Sequence, residues 1–180
     1  SLIYSLHKKH NKRILALFTS RYALNNVYQE LRKKPDSRDL PIFAQLRGSS
    51  RHAIIQGMHR KKNGILLGTN AFWEGIDLPG ELLEILILAK LPFGVPSEPV
   101  IKAYSNLLQS LDKNPFLDFN VPESVIKFRQ GFGRLIRTTQ DVGAFFVMDE
   151  RVVKKRYGKS FSDSIPVRMD PFSNLNEIRI

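Results

Sequence analysis

Cysteine is absent from this 180-residue chain, so it forms no disulfide, holds no iron–sulfur cluster and builds no thiolate zinc site. Long hydrophobic runs are missing as well. The longest, such as residues 85–89 (ILILA), fall far below the roughly 20 residues of a membrane-spanning helix, and the first twenty residues carry no secretory pattern. A cytoplasmic location is therefore expected. The four histidines, His7, His10, His52 and His59, have no carboxylates at ligand spacing, so no metal site is expected, and no Ser-His-Asp arrangement is legible. Acid is scarce relative to base. Asp and Glu number 17 against 28 Lys and Arg, a net charge of +11, which favours a polyanionic partner because phosphate neutralisation supplies most non-specific affinity for nucleic acid. There is no internal repeat, low-complexity tract or linker, and the content of 42% hydrophobic and 25% charged residues is that of one ordinary globular domain.

What is present is an alternation. Residues 14–18 (ILALF) form an apolar run of strand length, followed by Leu24, Val27, Tyr28 and Leu31 at the i, i+3, i+4, i+7 spacing of an amphipathic helix. Further strands are expected over 41–45, 65–68 (ILLG), 82–89 (LLEILILA) and 143–148 (GAFFVM). Helices are expected over 51–62, over the stretch where Val100, Ile101, Tyr104, Leu107, Leu108 and Leu111 share one side, and over 125–139. Continuous apolar strands alternating with helices predict an α/β fold with a mostly parallel sheet covered on both faces. Residues 158–180 read as loop, with a loosely held tail.

In such a sheet, chemistry is expected at the carboxyl ends of the strands. ILLG runs into TNAFWEGIDLPG (69–80), which holds the only tryptophan, and residues 91–99 (LPFGVPSEP) contain three prolines that make a stiff, extended segment. On the 125–139 helix, about 100° per residue puts Val125, Phe128, Phe132, Leu135 and Ile136 on one side. Gln130, Arg134 and Arg137 fall on the other, bordered by Gly133. Each glycine in QGFGRLIR costs the helix about 1 kcal/mol relative to alanine. Two readings of that cost stand: glycines beside guanidiniums admit an anion to the backbone, or a solvated basic face tolerates glycines used in helix packing.

Read together and in order, FWEGIDLPG, LPFGVPSEP and QGFGRLIR resemble the later motifs of superfamily 2 helicases of the DinG and XPD type. NPFLDFNVPESVIKFRQGFGRLIR (114–137) and DVGAFFVMDERVVKKRYGKSF (141–161) are similar to DinG-type proteins almost throughout, and the resemblance covers roughly residues 12–168. It implies a three-layer, P-loop NTPase-like domain, with residues 1–168 as the second RecA-like lobe of a DNA helicase and 169–180 as a tail. The chain has no G-x-x-x-x-G-K-[ST] loop and no D-E-x-H motif, both of which the family carries on its first lobe. ATP and magnesium are accordingly expected to be bound mainly by a first lobe outside this sequence, and the isolated lobe is expected to hydrolyse nothing.

The resemblance also implies roles. Arg134 and Arg137 match arginines that reach across a lobe interface to the γ-phosphate of ATP. Gln130, Gly133, Glu74, Gly75 and Asp77 match residues of the nucleotide site. Thr19, Ser20, Ser49 and Thr69 match the small hydroxyl residues that grip phosphates of single-stranded DNA at strand ends and helix N-termini, although Ser20 and Ser50 equally suit ordinary helix capping. Phe72 and Trp73 suit packing of their loop better than base stacking. The basic runs 32–34, 60–62 and 154–156 read as solvated helix ends. Some DinG-type proteins add an N-terminal 3′–5′ exonuclease, which leaves a second implication open: a nucleic-acid-binding module in a protein whose main activity is nucleolytic.

Overall fold

The computed structural model describes residues 1–69, 83–138, 140–174 and 177–178. Five parallel strands lie in the order β2-β3-β1-β4-β5: β1 Ile14–Phe18, β2 Ile42–Ala44, β3 Ile65–Thr69, β4 Ile85–Leu88 and β5 Ala144–Val147. Side chains alternate in direction along a strand. Leu15, Leu17, Leu66, Leu86 and Leu88 therefore enter one core, while Ile14, Ala16, Phe18, Ile65, Leu67, Ile85 and Ile87 enter the other. Both faces are apolar because both are covered. The second core is closed by α1 (Leu2–His10) through Ile3 and Leu6, and by α2 (Arg21–Arg32) through Leu24 and Leu31. The first is closed by α3 (Arg51–Arg60) through Ile54 and Met58, with the longer helix α5 (Val121–Leu135) adding Phe128 and Phe132. The expected three-layer, RecA-like α/β architecture is the one observed.

Serines start two of these helices. Ser20 Oγ accepts from Ala23 N at 3.2 Å and Ser50 Oγ from Ala53 N at 3.4 Å, each satisfying one orphan donor of a first turn. Pro122 lies in the first turn of α5, where its missing N–H costs nothing.

Three features go beyond what the sequence pattern indicated. Leu2–His10 is helical, seated by Ile3 and Leu6 and ended by Asn11 in the left-handed conformation (φ 52°). The helix α4 (Pro99–Ser110) forms as its period predicts, yet buries none of its residues; Tyr104 is 50% and Leu107 55% exposed. Periodicity fixes which side is apolar, not whether a partner covers it. Residues 158–180 are not all loop: after the short α6 (Arg151–Lys154), Gly158–Ser162 forms α7 around the buried Phe161, and the tail is tied down where Phe172 packs edge-on against Phe146 and Lys9 Nζ donates to the Ile178 carbonyl at 3.1 Å.

Candidate functional site

Helix α5 runs antiparallel to the strands. It is entered through a π-helical turn, Phe116–Asn120, whose Phe116 stacks on Phe93 (5.5 Å) just beyond the carboxyl end of β4. It ends where Leu135 lies against Gly143, immediately ahead of β5. Arg134 and Arg137 consequently sit at the amino edge of the sheet. The expectation that the chemistry gathers at the carboxyl ends does not hold for them, because the end of a helix that feeds a parallel strand must lie where that strand begins.

The helix also stops earlier than its period suggested. Ile136 is extended (φ −119°, ψ 103°), so Arg137 lies beyond the last turn rather than on a continuous stripe with Gln130 and Arg134. A turn of its own holds it. Asp141 Oδ2 accepts from Arg137 N and from Thr138 N, both at 2.7 Å, and Gln140 N donates to Thr138 Oγ1 at 3.3 Å. Those amides, Thr138 first, hold the Asp141 carboxyl below the usual carboxylate range. Gln130 and Gly133 are exposed, and among the described residues a Cβ at Gly133 would meet nothing within 4 Å. The open space above Gly133 favours the reading in which the glycine admits an approaching group over one in which it serves packing.

Around this end the amino edge is basic. Glu84, at the head of β4, accepts from Arg13 N (3.0 Å) and pairs with Lys12 Nζ (3.3 Å), while Arg13 Nε donates to the Lys61 carbonyl at 3.1 Å. A depression of about 600 Å³ is lined here by Asn11, Arg13, Lys62, Glu84, Leu135 and Asp141, among others. Sequence reasoning missed Glu84 and Asp141. The signal for Glu84 was present, as the lone acid at the start of a buried apolar run.

The hydroxyl residues lie at the opposite edge. Across the carboxyl ends the order is Gln45 after β2, Thr69 on β3, Thr19 after β1, Lys90 after β4 and Asp149 after β5. Thr19, Ser20 and Ser49 are exposed. Ser20 acts as a cap, as described. Thr69 is engaged: its N–H and its hydroxyl both donate to Gln45 Oε1, at 3.0 and 2.9 Å. The one hydroxyl proton is thereby used.

A further group at this edge went unread in the sequence. Asp149 is 7% exposed and accepts from Leu91 N (2.9 Å), Arg151 N (3.1 Å), Arg151 Nε (2.9 Å) and Arg151 Nη2 (2.6 Å). Burial pushes its carboxyl up, but the Arg151 guanidinium and the two amides outweigh burial and hold it below the ordinary range. The same guanidinium lies 5.1 Å over the Phe93 ring. Asp149 and Arg151 thus anchor the start of the proline-rich 91–99 segment at two points. Phe72, Trp73, Glu74, Gly75 and Asp77 lie outside the described residues.

Residues 3–168 match the model of the helicase C-terminal domain family. The chain belongs to that family. Within it, the lobe is 38% identical over 160 residues to the 3′–5′ exonuclease DinG of Bacillus subtilis (88% of this chain, 17% of that protein). It is 39% identical over 166 residues to the ATP-dependent DNA helicase DinG of Photobacterium profundum (91% of this chain, 23% of that protein). The chain therefore spans about a fifth of the curated relatives it matches. Among solved structures an XPD helicase superposes with a TM-score of 0.64 at 17% identity, covering 88% of this chain and 28% of that one. That likeness carries the fold. Among the described residues, no helix is long and apolar enough to cross a membrane.

Proposed function

We propose that this helicase C-terminal domain is the second motor lobe, residues 1–168, of an ATP-dependent DNA helicase of the DinG type, with residues 169–180 as its tail. In this reading its two edges divide the work. The amino edge faces a first lobe of the same parent chain that binds ATP and magnesium, and Arg134 and Arg137 reach the γ-phosphate there. An arginine so placed stabilises charge in the phosphoryl-transfer transition state, an effect worth about 10³ to 10⁵ in rate. Gln130 organises the same site, and Gly133 leaves room for the facing surface. Glu74, Gly75 and Asp77 take the nucleotide-side roles that the family motif gives them. The carboxyl edge carries single-stranded DNA, gripped at Thr19, Ser20, Ser49 and the Gln45–Thr69 pair. The protein works in the cytoplasm.

The observation that carries the reading is the end of α5: two arginines beside an exposed glycine with no described atom within 4 Å of its Cβ position, the backbone of the second fixed by the Asp141 turn. The lobe by itself supplies neither a phosphate loop nor a magnesium acid, so it hydrolyses no ATP alone. In the parent, Arg137→Ala is expected to lower ATP turnover at least about 10³-fold while DNA affinity changes little. Equal loss of turnover and binding would transfer this edge to DNA and defeat the reading. The name of the Bacillus subtilis relative favours a second reading: a nucleic-acid-binding module beside a 3′–5′ exonuclease whose ATP residues are idle. ATP turnover by the parent that rises with single-stranded DNA decides for the motor, and DNA-independent silence with nuclease activity decides for the module.

A further inference from the structure

The Gln45 side chain is oriented without ambiguity. A carboxamide's oxygen and nitrogen are hard to tell apart by shape, but its neighbour here is the Thr69 backbone N–H, which donates only. The atom 3.0 Å from it must be the oxygen. The Thr69 hydroxyl adds a second donor to that oxygen at 2.9 Å, so both lone pairs are used. What remains of Gln45 is an NH2 group with two donors, which have no partner among the described residues, on a half-buried side chain at the carboxyl edge.

Two consequences follow from the chemistry. A carboxamide reads adenine by pairing its oxygen and nitrogen with the base at once, and Gln45 has no oxygen left to do so. Its remaining capacity is donation to an acceptor, and the setting favours an anionic one. No acid occurs between Asp39 and Glu74, whereas the loop and helix that follow Gln45 carry the exposed Arg47 and Arg51. Thr69 has meanwhile spent both of its donors.

We propose that Gln45 is a phosphate-binding residue of the carboxyl edge, making a sequence-independent contact to a nucleic-acid backbone, and that Thr69 acts through it as a positioning residue. The inference rests on the nucleic-acid reading of this edge and names the contact within it.

The test is a double-mutant cycle on the parent protein, measuring affinity for labelled oligo(dT) and oligo(dA) without nucleotide. Gln45→Glu keeps both acceptor positions for Thr69, so thermal unfolding should not move, but it removes the donors. Affinity should fall about tenfold, the scale of one hydrogen bond to a charged group, and equally for both oligonucleotides. Gln56→Glu, which puts the same charge on an exposed position of α3, controls for simple repulsion and should weaken binding far less. Thr69→Val should weaken binding in the wild-type background and add nothing in the Gln45→Glu background. A fall for Gln45→Glu no larger than for Gln56→Glu overturns the assignment of Gln45. A Thr69→Val effect that persists in full beside Gln45→Glu overturns the positioning role and makes Thr69 the contact. A base-dependent fall overturns the phosphate assignment. If the wild-type parent binds neither oligonucleotide, the nucleic-acid reading itself fails, which the wild-type measurement alone reveals.

Discussion

Replacing Gly133 by alanine separates what this helix needs for folding from what it needs for function. The residue lies in the last turns of α5, is exposed, and a Cβ built there meets no atom of the described residues within 4 Å. No steric term opposes the substitution, so intrinsic propensity decides its sign: alanine is favoured over glycine by about 1 kcal/mol in a helix. For a chain of this size that corresponds to a midpoint rise of about 2–4 °C. Denaturant unfolding of the lobe followed by circular dichroism should show a higher midpoint at unchanged slope. On the proposed reading, ATP turnover in the parent should fall, because the added methyl would occupy space through which a facing lobe and its nucleotide approach. Lower stability would refute the open geometry at Gly133. Higher stability with undiminished turnover would refute the functional reason for the glycine.

Gly158→Ala is the contrasting case: its Cβ would stand 2.2 Å from the Val152 carbonyl oxygen, so unfolding at a markedly lower midpoint is expected, and a neutral result would contradict the packing of α7. Asp149→Ala leaves the Leu91 N–H without its acceptor and Arg151 without its carboxylate partner. With the Arg151 side chain 38% exposed and partly screened, the expected loss is about 2 kcal/mol by denaturant unfolding, and no loss would mean that the anchor of the 91–99 segment is dispensable. Burial, helped by Lys8 and opposed by Asp36, pushes His7 below its ordinary value of 6.5. The unfolded chain then takes up a proton that the folded one refuses, so stability should decline as pH falls below about 6.5. Unfolding midpoints measured from pH 7.5 to 5 check this, and His7→Met should flatten the slope.

Most of the architecture was legible because it follows from local periodicity. ILALF, ILLG and ILIL are apolar at every position, which in a strand means burial on both faces and hence helices on both sides. The helices showed as 3.6-residue patterns, and Ser20 and Ser50 as caps. Element ends were less legible. Ile136 continues the apolar pattern of α5 while its backbone is already extended, since the Asp141 turn competes for the amides of Arg137 and Thr138.

The sequence by itself determined the composition of the site: a basic chain, two arginines and a glycine at the end of one helix, and hydroxyls at the ends of strands. Tertiary structure decided where these stand relative to one another. It set the arginines and the hydroxyls on opposite edges of one sheet and left α4 with no buried residue. It also paired Gln45 with Thr69 across 24 residues, and Asp149 with Leu91 across 58. The physical reason is that spacing along a chain encodes direction around a helix or strand axis, whereas proximity between strands is fixed only when the sheet order closes.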